Sequence, residues 1–231
     1  MSDGPDTGPG GGAVLPREFF AGPALEVAPR LLGCVLEHET GEGLVAVMLT
    51  EVEAYEGLAD PASHAYRGRT RRNGVMFGPP GHAYVYFTYG MHFCVNLVCR
   101  PEGTASAILL RAGRVTEGIP LATARRSSAG RAQRDLARGP ARLCQALGID
   151  RRLDGADVCT PGLPLRVRSA DHRPTAPISQ GPRVGVNSAA ERPWRFWLSG
   201  DPTVSAYRPH TPRARPKVIS PPASEDGTMH R

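Results

Sequence analysis

The sequence predicts a mixed α/β (α+β) fold: a single domain with a curved antiparallel sheet, a protruding β-hairpin and surrounding helices. Three observations predict it. Residues 43–55 form an apolar, β-branched run, two alternating runs flank Tyr89-Gly90-Met91, and short amphipathic segments broken by proline and glycine lie between the strands. A chain of 231 residues suits one core better than two, at roughly 100–200 residues per domain.

From Pro16 the segment PREFFAGPALEVAPRLLGCVLE places Phe19, Phe20, Leu25, Val27, Leu31 and Leu32 at spacings that predict short helices broken at Pro23 and Pro29. GLVAVMLTEVEAY, residues 43–55, is apolar on both alternating faces up to Leu49 and predicts a buried strand. After the turn signal Gly78-Pro79-Pro80-Gly81, HAYVYFTYGMHFCVNLV predicts the hairpin. ASAILLRA, residues 105–112, is a further strand, and the Ala/Arg-rich stretch 117–139 is expected to be helical. Pro140 opens a short helix with Leu143, Ala146 and Leu147 on one face, and Gly148 stops it. LPLRVRS, RVGV and WRFWLSG are the expected closing strands. Residues 1–14 and 208–231 are poor in apolar side chains, so the expected domain is 15–207 between two disordered tails, the second rich in proline and arginine.

A formal charge of +6 and a pI near 9.4 favour a polyanionic partner, because surplus cations attract phosphate at long range and release condensed counterions on contact. Lys217 is the only lysine, and a skew toward arginine also follows from the base composition of a genome. The five cysteines form no C-x-x-C pair, which points away from a disulfide framework or zinc ribbon. The start MSDGPDTGPGGGAV has neither the basic patch nor the apolar run of a secretory signal, and no stretch has the apolar length of a membrane span. A cytoplasmic protein is expected, nucleoid-associated if the source is bacterial, with no membrane contact.

Four features could carry chemistry. Strict alternation along 43–55 puts Val45, Val47 and Leu49 on one face with Glu51, Glu53 and Tyr55, so an apolar face would end in two carboxylates and a phenol at a cleft. Such neighbouring carboxylates can drive each other's pKa values apart; the bland alternative is a solvated strand tip or pairing with arginine. Ala62-Ser63-His64 precedes a loop holding Arg67, Arg69, Arg71 and Arg72, too many cations to bury together and a natural phosphate clamp, or else a solvated basic loop. The hairpin tip carries Tyr89 and Met91, bulky residues that could insert between base steps or fold back on the domain. On the return strand Asn96 lies across from the tyrosine face, satisfied by backbone or placed to meet a ligand. His92, Cys94 and Cys99 have spacings that match no established zinc motif, so no metal and no cofactor are expected.

In this order the motifs LGCVLE, TEVEAYEG, DPASHAYRGRTRRNGVMFGPPGHAYVYFTYGMHFCVNLV, AILLRA, GPARLCQALGI and RVGV resemble the alkyladenine DNA glycosylases, the mammalian-type methylpurine or 3-methyladenine glycosylase family, from about Arg17 to Tyr207. The resemblance implies a monofunctional enzyme that flips an alkylated or deaminated purine out of double-stranded DNA and hydrolyses its bond to the sugar, the first step of base excision repair. It implies Glu53 as the general base for water and Arg111 as the arginine that helps hold that water. Tyr55 and Tyr86 would stack on the extruded base, His64 with Ala62 would meet its edge, and Asn96 would exclude the 2-amino group of guanine. Tyr89 would fill the gap in the duplex with Met91 beside it, and Arg67, Arg69, Arg71 and Arg72 would hold phosphates. Two features depart from the family pattern: His92 stands where an aromatic is expected, and one residue is inserted around Val75.

The residues fit that chemistry. Breaking an N-glycosidic bond builds positive charge on the sugar, and a fixed carboxylate both stabilises it and takes a proton from water. The sequence shows no phosphate-cradling loop or Ser/His/Asp order. The rival expectation is a non-catalytic module that senses distorted duplex DNA through the hairpin and arginines. A monomer is expected in either case.

Overall fold

The computed structural model describes residues 12–88, 90–126, 132–170 and 174–209. After a 3-10 turn at Arg17–Phe20 come α1 (Ala24–Leu31), β1 (Val35–Thr40), β2 (Gly43–Tyr55), β3 (Ala83–Thr88), β4 (His92–Val98) and β5 (Ala107–Glu117). Then follow α2 (Ile119–Arg125), α3 (Pro140–Leu147), β6 (Leu165–Arg168), β7 (Ile178–Gly181) and β8 (Arg195–Leu198). One antiparallel sheet runs β3-β4-β5-β2-β1-β6, and β8 joins β2 and carries β7. The mixed α/β single domain and its curved antiparallel sheet are as the sequence predicts.

β2 organises the molecule. It pairs with β5 along one edge, and along the other it pairs first with β1, through Gly43 to Met48, and then with β8, through Glu51 to Glu53. Two register slips with β5 fall at the changeover. Leu49 faces Gly113, Glu51 faces Ala112 and Val52 faces Leu110, so Thr50 and Arg111 are each left without a partner in the ladder. Bulges of this kind bend a sheet and re-aim side chains.

The slip corrects the face assignment made from strict alternation. The core takes Val45, Val47 and Leu49 and then Val52 and Ala54, so the pattern changes parity across the bulge. Glu51, Glu53 and Tyr55 therefore do not continue the apolar face; they stand on the other side of the sheet from Val52 and Ala54. Burial against α1 and α3 fixes the apolar side, with Val85, Val95, Leu97, Ile108 and Leu110 joining Val27, Leu31, Leu143 and Leu147. Each such fully buried aliphatic side chain is worth about 1.5–3 kcal/mol.

Four other expectations change. Pro29 lies inside α1 rather than breaking it; the proline forfeits one backbone hydrogen bond, and burial of Ala24, Val27, Ala28 and Leu31 holds the helix regardless. VLE, expected at the end of the helical segment, instead opens β1, turned onto β2 so that Thr40 faces Gly43. The helical stretch expected over 117–139 is an α-helix only over Ile119–Arg125; 127–131 lie outside the described residues, and beyond them come a 3-10 turn at Gln133–Asp135 and Ala137, which accepts a hydrogen bond from Gly113 N–H (3.2 Å). RVGV is a loop, and its neighbour Ile178–Gly181 is the strand. In the last two cases pairing with an existing strand edge decided what local propensity could not.

The tails expected at 1–14 and 208–231 fall largely outside the described residues, but Val14 bridges Arg168 and Ser169 N–H donates to Ala13 O at 2.9 Å. All five cysteines are free thiols. Among the described residues, no helix is long and apolar enough to cross a membrane.

One glycine leads from β2 into the loop that follows. Gly57 has φ +55°, and a Cβ there would lie 1.9 Å from the Ala105 carbonyl oxygen, a backbone atom that cannot yield. Gly57→Ala should therefore lose roughly 2–4 kcal/mol of stability by clash and left-handed strain together. Urea unfolding would show it as a lower midpoint at unchanged slope.

Candidate active site

The face of the sheet turned away from the helices floors a cavity of about 450 Å³. Alternation on the hairpin and β5 supplies its floor: Tyr84, Tyr86, Cys94, Asn96, Leu109 and Arg111. Their neighbours Val85, Val95, Ile108 and Leu110 enter the core. The loops after β2 and β7 supply the walls, through Ala62, Ser63, His64 and Arg72 on one side and Val184 to Asn187 on the other.

Glu53 has no exposed surface and lies beneath this cavity, held by three residues that line it. Its Oε1 accepts from Val184 N–H at 2.7 Å and lies 3.2 Å from Arg111 Nη1, while Oε2 accepts from the Tyr55 hydroxyl at 2.8 Å. The carboxylate is fixed in place with lone pairs to spare. Burial, and then the Glu53 charge, push the Tyr55 hydroxyl well above its ordinary pKa, so it stays a donor to Glu53.

Glu51 has a different situation. Its Oε1 accepts from Arg111 Nε (2.8 Å), Arg195 Nε (2.7 Å) and the Ser205 hydroxyl (2.9 Å), and its Oε2 accepts from Ser205 N–H (2.7 Å). Burial opposes its ionisation, but Arg111, Arg195 and the Ser205 hydrogen bonds more than offset that and hold the Glu51 carboxyl below its usual value. The expectation of two carboxylates splitting each other's pKa values is thus replaced: Glu51 is an internal counterion that positions Arg111. Arg111 in turn bridges Glu51 to Glu53, a reach made possible by its unpaired place in the ladder.

Around the cavity rim, His64 Nδ1 lies 3.0 Å from the Tyr84 hydroxyl, and its ring meets Tyr86 edge-on at 4.5 Å. Partial burial, and then the Arg72 guanidinium, lower the His64 pKa, which favours a neutral ring that donates from one nitrogen and accepts at the other. Asn96 is buried opposite Tyr84 in the hairpin and donates one amide hydrogen to the Tyr84 carbonyl at 3.2 Å. Burial, and then Cys94, raise the Tyr86 hydroxyl pKa well above the usual value.

Of the residues singled out from sequence, Tyr55, Ala62, His64, Arg72, Tyr86, Asn96 and Arg111 border this one cavity, with Glu53 below it. Arg67, Arg69 and Arg71 are exposed on the neighbouring loop, which Asn73 ties down through hydrogen bonds to the His64 and Gly68 carbonyls. Arg72 differs from them, with its guanidinium 5.9 Å from the Tyr86 ring centre. Met91 is exposed at the hairpin tip; Tyr89 lies outside the described residues. Sequence reasoning missed Asp60, Arg183, Val184, Arg195 and Ser205. Val184 acts through its backbone N–H, which no side-chain pattern reveals, and the others lie more than a hundred residues from the groups they meet or form no local motif.

Comparison with known proteins gives one consistent family. The model of the methylpurine-DNA glycosylase family matches residues 18–202. A Streptomyces avermitilis protein provisionally named 3-methyladenine DNA glycosylase is 61% identical over 203 residues, covering 87% of this chain and 95% of that protein. Proteins of the same provisional name from Leifsonia xyli subsp. xyli and Mycobacterium tuberculosis are 55% and 51% identical over 202 and 187 residues. They cover 84% and 78% of this chain, and 92% and 88% of their own lengths.

Proposed function

The chain belongs to the methylpurine-DNA glycosylase family, making it a hydrolase of N-glycosyl bonds in DNA, and on that premise we propose that it everts an alkylated or deaminated purine into the Tyr55–Tyr86 cavity and cleaves it with water activated by Glu53. The observation that carries the reading is the fixed, buried Glu53 carboxylate beneath an aromatic cavity, flanked by Arg111 and the Val184 N–H.

The everted base lies between the Tyr55 and Tyr86 rings, with the neutral His64 ring and the Ala62 segment at its edge. Its sugar then lies over Arg111 and Glu53. A water held there by Glu53 and Arg111 attacks C1′ as the bond to the base breaks; Glu53 takes the water's proton and its charge stabilises the oxocarbenium-like sugar. Arg67, Arg69 and Arg71, exposed beside the cavity mouth, meet the phosphates on either side of the everted nucleotide. Met91 enters the duplex from the hairpin tip.

Duplexes carrying 3-methyladenine, 7-methylguanine, hypoxanthine or ethenoadenine, incubated with the protein and treated with alkali, should break at the lesion. Intact oligonucleotide for every lesion would leave only the duplex-sensing alternative. Asn96 supplies a second test, because its buried amide stands in the cavity floor where the 2-amino group of guanine would press against it. Asn96→Ser should allow slow release of undamaged guanine, measured as alkali-labile breaks at G in lesion-free duplex; a variant as inert toward guanine as the parent would remove Asn96 from that role.

A further inference from the structure

We propose that Arg183, together with Asp60, sets which damaged bases Tyr55 accepts, by placing a charge behind the ring that stacks on the base. The inference rests on the glycosylase reading above and adds a selectivity control to it.

Arg183 is 1% exposed and does not border the cavity, whereas Tyr55 does. Its guanidinium lies over the Tyr55 ring at 4.6 Å and over Trp194 at 5.0 Å, so it covers Tyr55 from the protein side and leaves the other face to the cavity. Asp60 grips it with two hydrogen bonds, Nη1 to Oδ2 at 2.5 Å and Nη2 to Oδ1 at 2.8 Å, and Nη1 also donates to the Ala54 carbonyl at 3.0 Å. Its Nε has no hydrogen-bond acceptor among the described residues, which leaves the two rings as that group's surroundings.

A cation on one face of an aromatic ring draws π density toward itself and weakens the attraction of the opposite face for a second cation. Purines methylated at N3 or N7 are cationic in DNA, and hypoxanthine is neutral. Arg183 thus lowers the preference of Tyr55 for cationic bases, and the Asp60 carboxylate partly restores it. Arg111, the buried cation that borders the cavity, is already balanced by Glu51 and Glu53. Asp60 and Arg183 are positioning residues as well, since Arg183 immediately precedes Val184, whose N–H holds Glu53.

The test is the ratio of kcat/KM for 7-methylguanine to that for hypoxanthine, each in the same duplex context. Within one preparation this ratio is independent of the folded fraction, so loss of stability does not disturb it. Asp60→Asn leaves the guanidinium uncompensated and should lower the ratio; Arg183→Met removes it and should raise the ratio, each by roughly three- to thirty-fold, the range of buried cation–π energies. Arg183→Lys, which keeps the charge, should hold the ratio within about two-fold of the parent while both rates fall. Equal ratios in all variants, or shifts of the same sign in Asp60→Asn and Arg183→Met, would reduce the pair to a structural brace. Should Arg183→Met not fold, the direction of Asp60→Asn alone decides. Failure of the parent to release either base would overturn the glycosylase reading itself, an outcome separate from an unmoved ratio.

Discussion

Replacing Glu53 by Gln lowers lesion excision by about 10²–10⁴-fold, the usual worth of a general base, and leaves binding to a lesion duplex near that of the parent. The shape of the site survives the change. Gln keeps an oxygen to accept from Val184 N–H, the Tyr55 hydroxyl can rotate to accept from the new amide, and Arg111 retains Glu51 at 2.8 Å. Loss of charge-assisted hydrogen bonds costs about 1–3 kcal/mol, which a thermal melt registers without unfolding the protein at assay temperature. The chemistry has no substitute, because Glu53 is the carboxylate fixed beneath the cavity while Glu51 has its oxygens committed to Arg111, Arg195 and Ser205. Single-turnover release of base against duplex affinity separates the two effects; excision at the parental rate in Glu53→Gln would remove the carboxylate from the mechanism.

The second large effect falls on stability. Glu51→Gln leaves Arg111 and Arg195, which are 6% and 4% exposed, without their shared counterion. Breaking a buried ion pair from one side costs about 3–5 kcal/mol, so the melting temperature should fall by on the order of 10 °C for a domain of this size. The same group predicts a pH dependence. The folded pKa of Glu51 lies below its unfolded value, so the folded state binds fewer protons. Its stabilisation is complete above about pH 4.5 and drains away as the pH falls through the unfolded value toward the lower folded one. Melting temperatures recorded from pH 7 to pH 3 should drop more steeply for the parent than for Glu51→Gln. Parallel curves would mean that the carboxylate is no more ionised in the fold than in the unfolded chain.

These two glutamates show where sequence reading reaches its limit. They lie two apart in one strand, and alternation gave both the same environment. A bulge with β5 and the arrival of β8 beside Glu51 to Glu53 made one an internal counterion and set the other beneath the cavity. Charge was legible only in the aggregate for the same reason. The basic balance suggested a polyanion, yet Arg111, Arg166, Arg168, Arg183 and Arg195 are buried, whereas Arg67, Arg69 and Arg71 are exposed on the loop beside the cavity. The hairpin was read correctly, because a turn between two alternating runs is a local signal, and so was α3, bounded by Pro140 and Gly148.

By itself the sequence determined the fold class, the long central strand and the hairpin, since period-2 patterning and turn chemistry act over a few residues, and its motifs named seven of the residues that border the cavity. Only the tertiary structure decided which carboxylate lies beneath the cavity, that Val184 holds it through its backbone N–H, and that Asp60 and Arg183 stand behind Tyr55. Those outcomes depend on contacts between segments more than a hundred residues apart. Their energy comes from burial and ion pairing realised after the sheet has closed, and no local pattern in the chain encodes it.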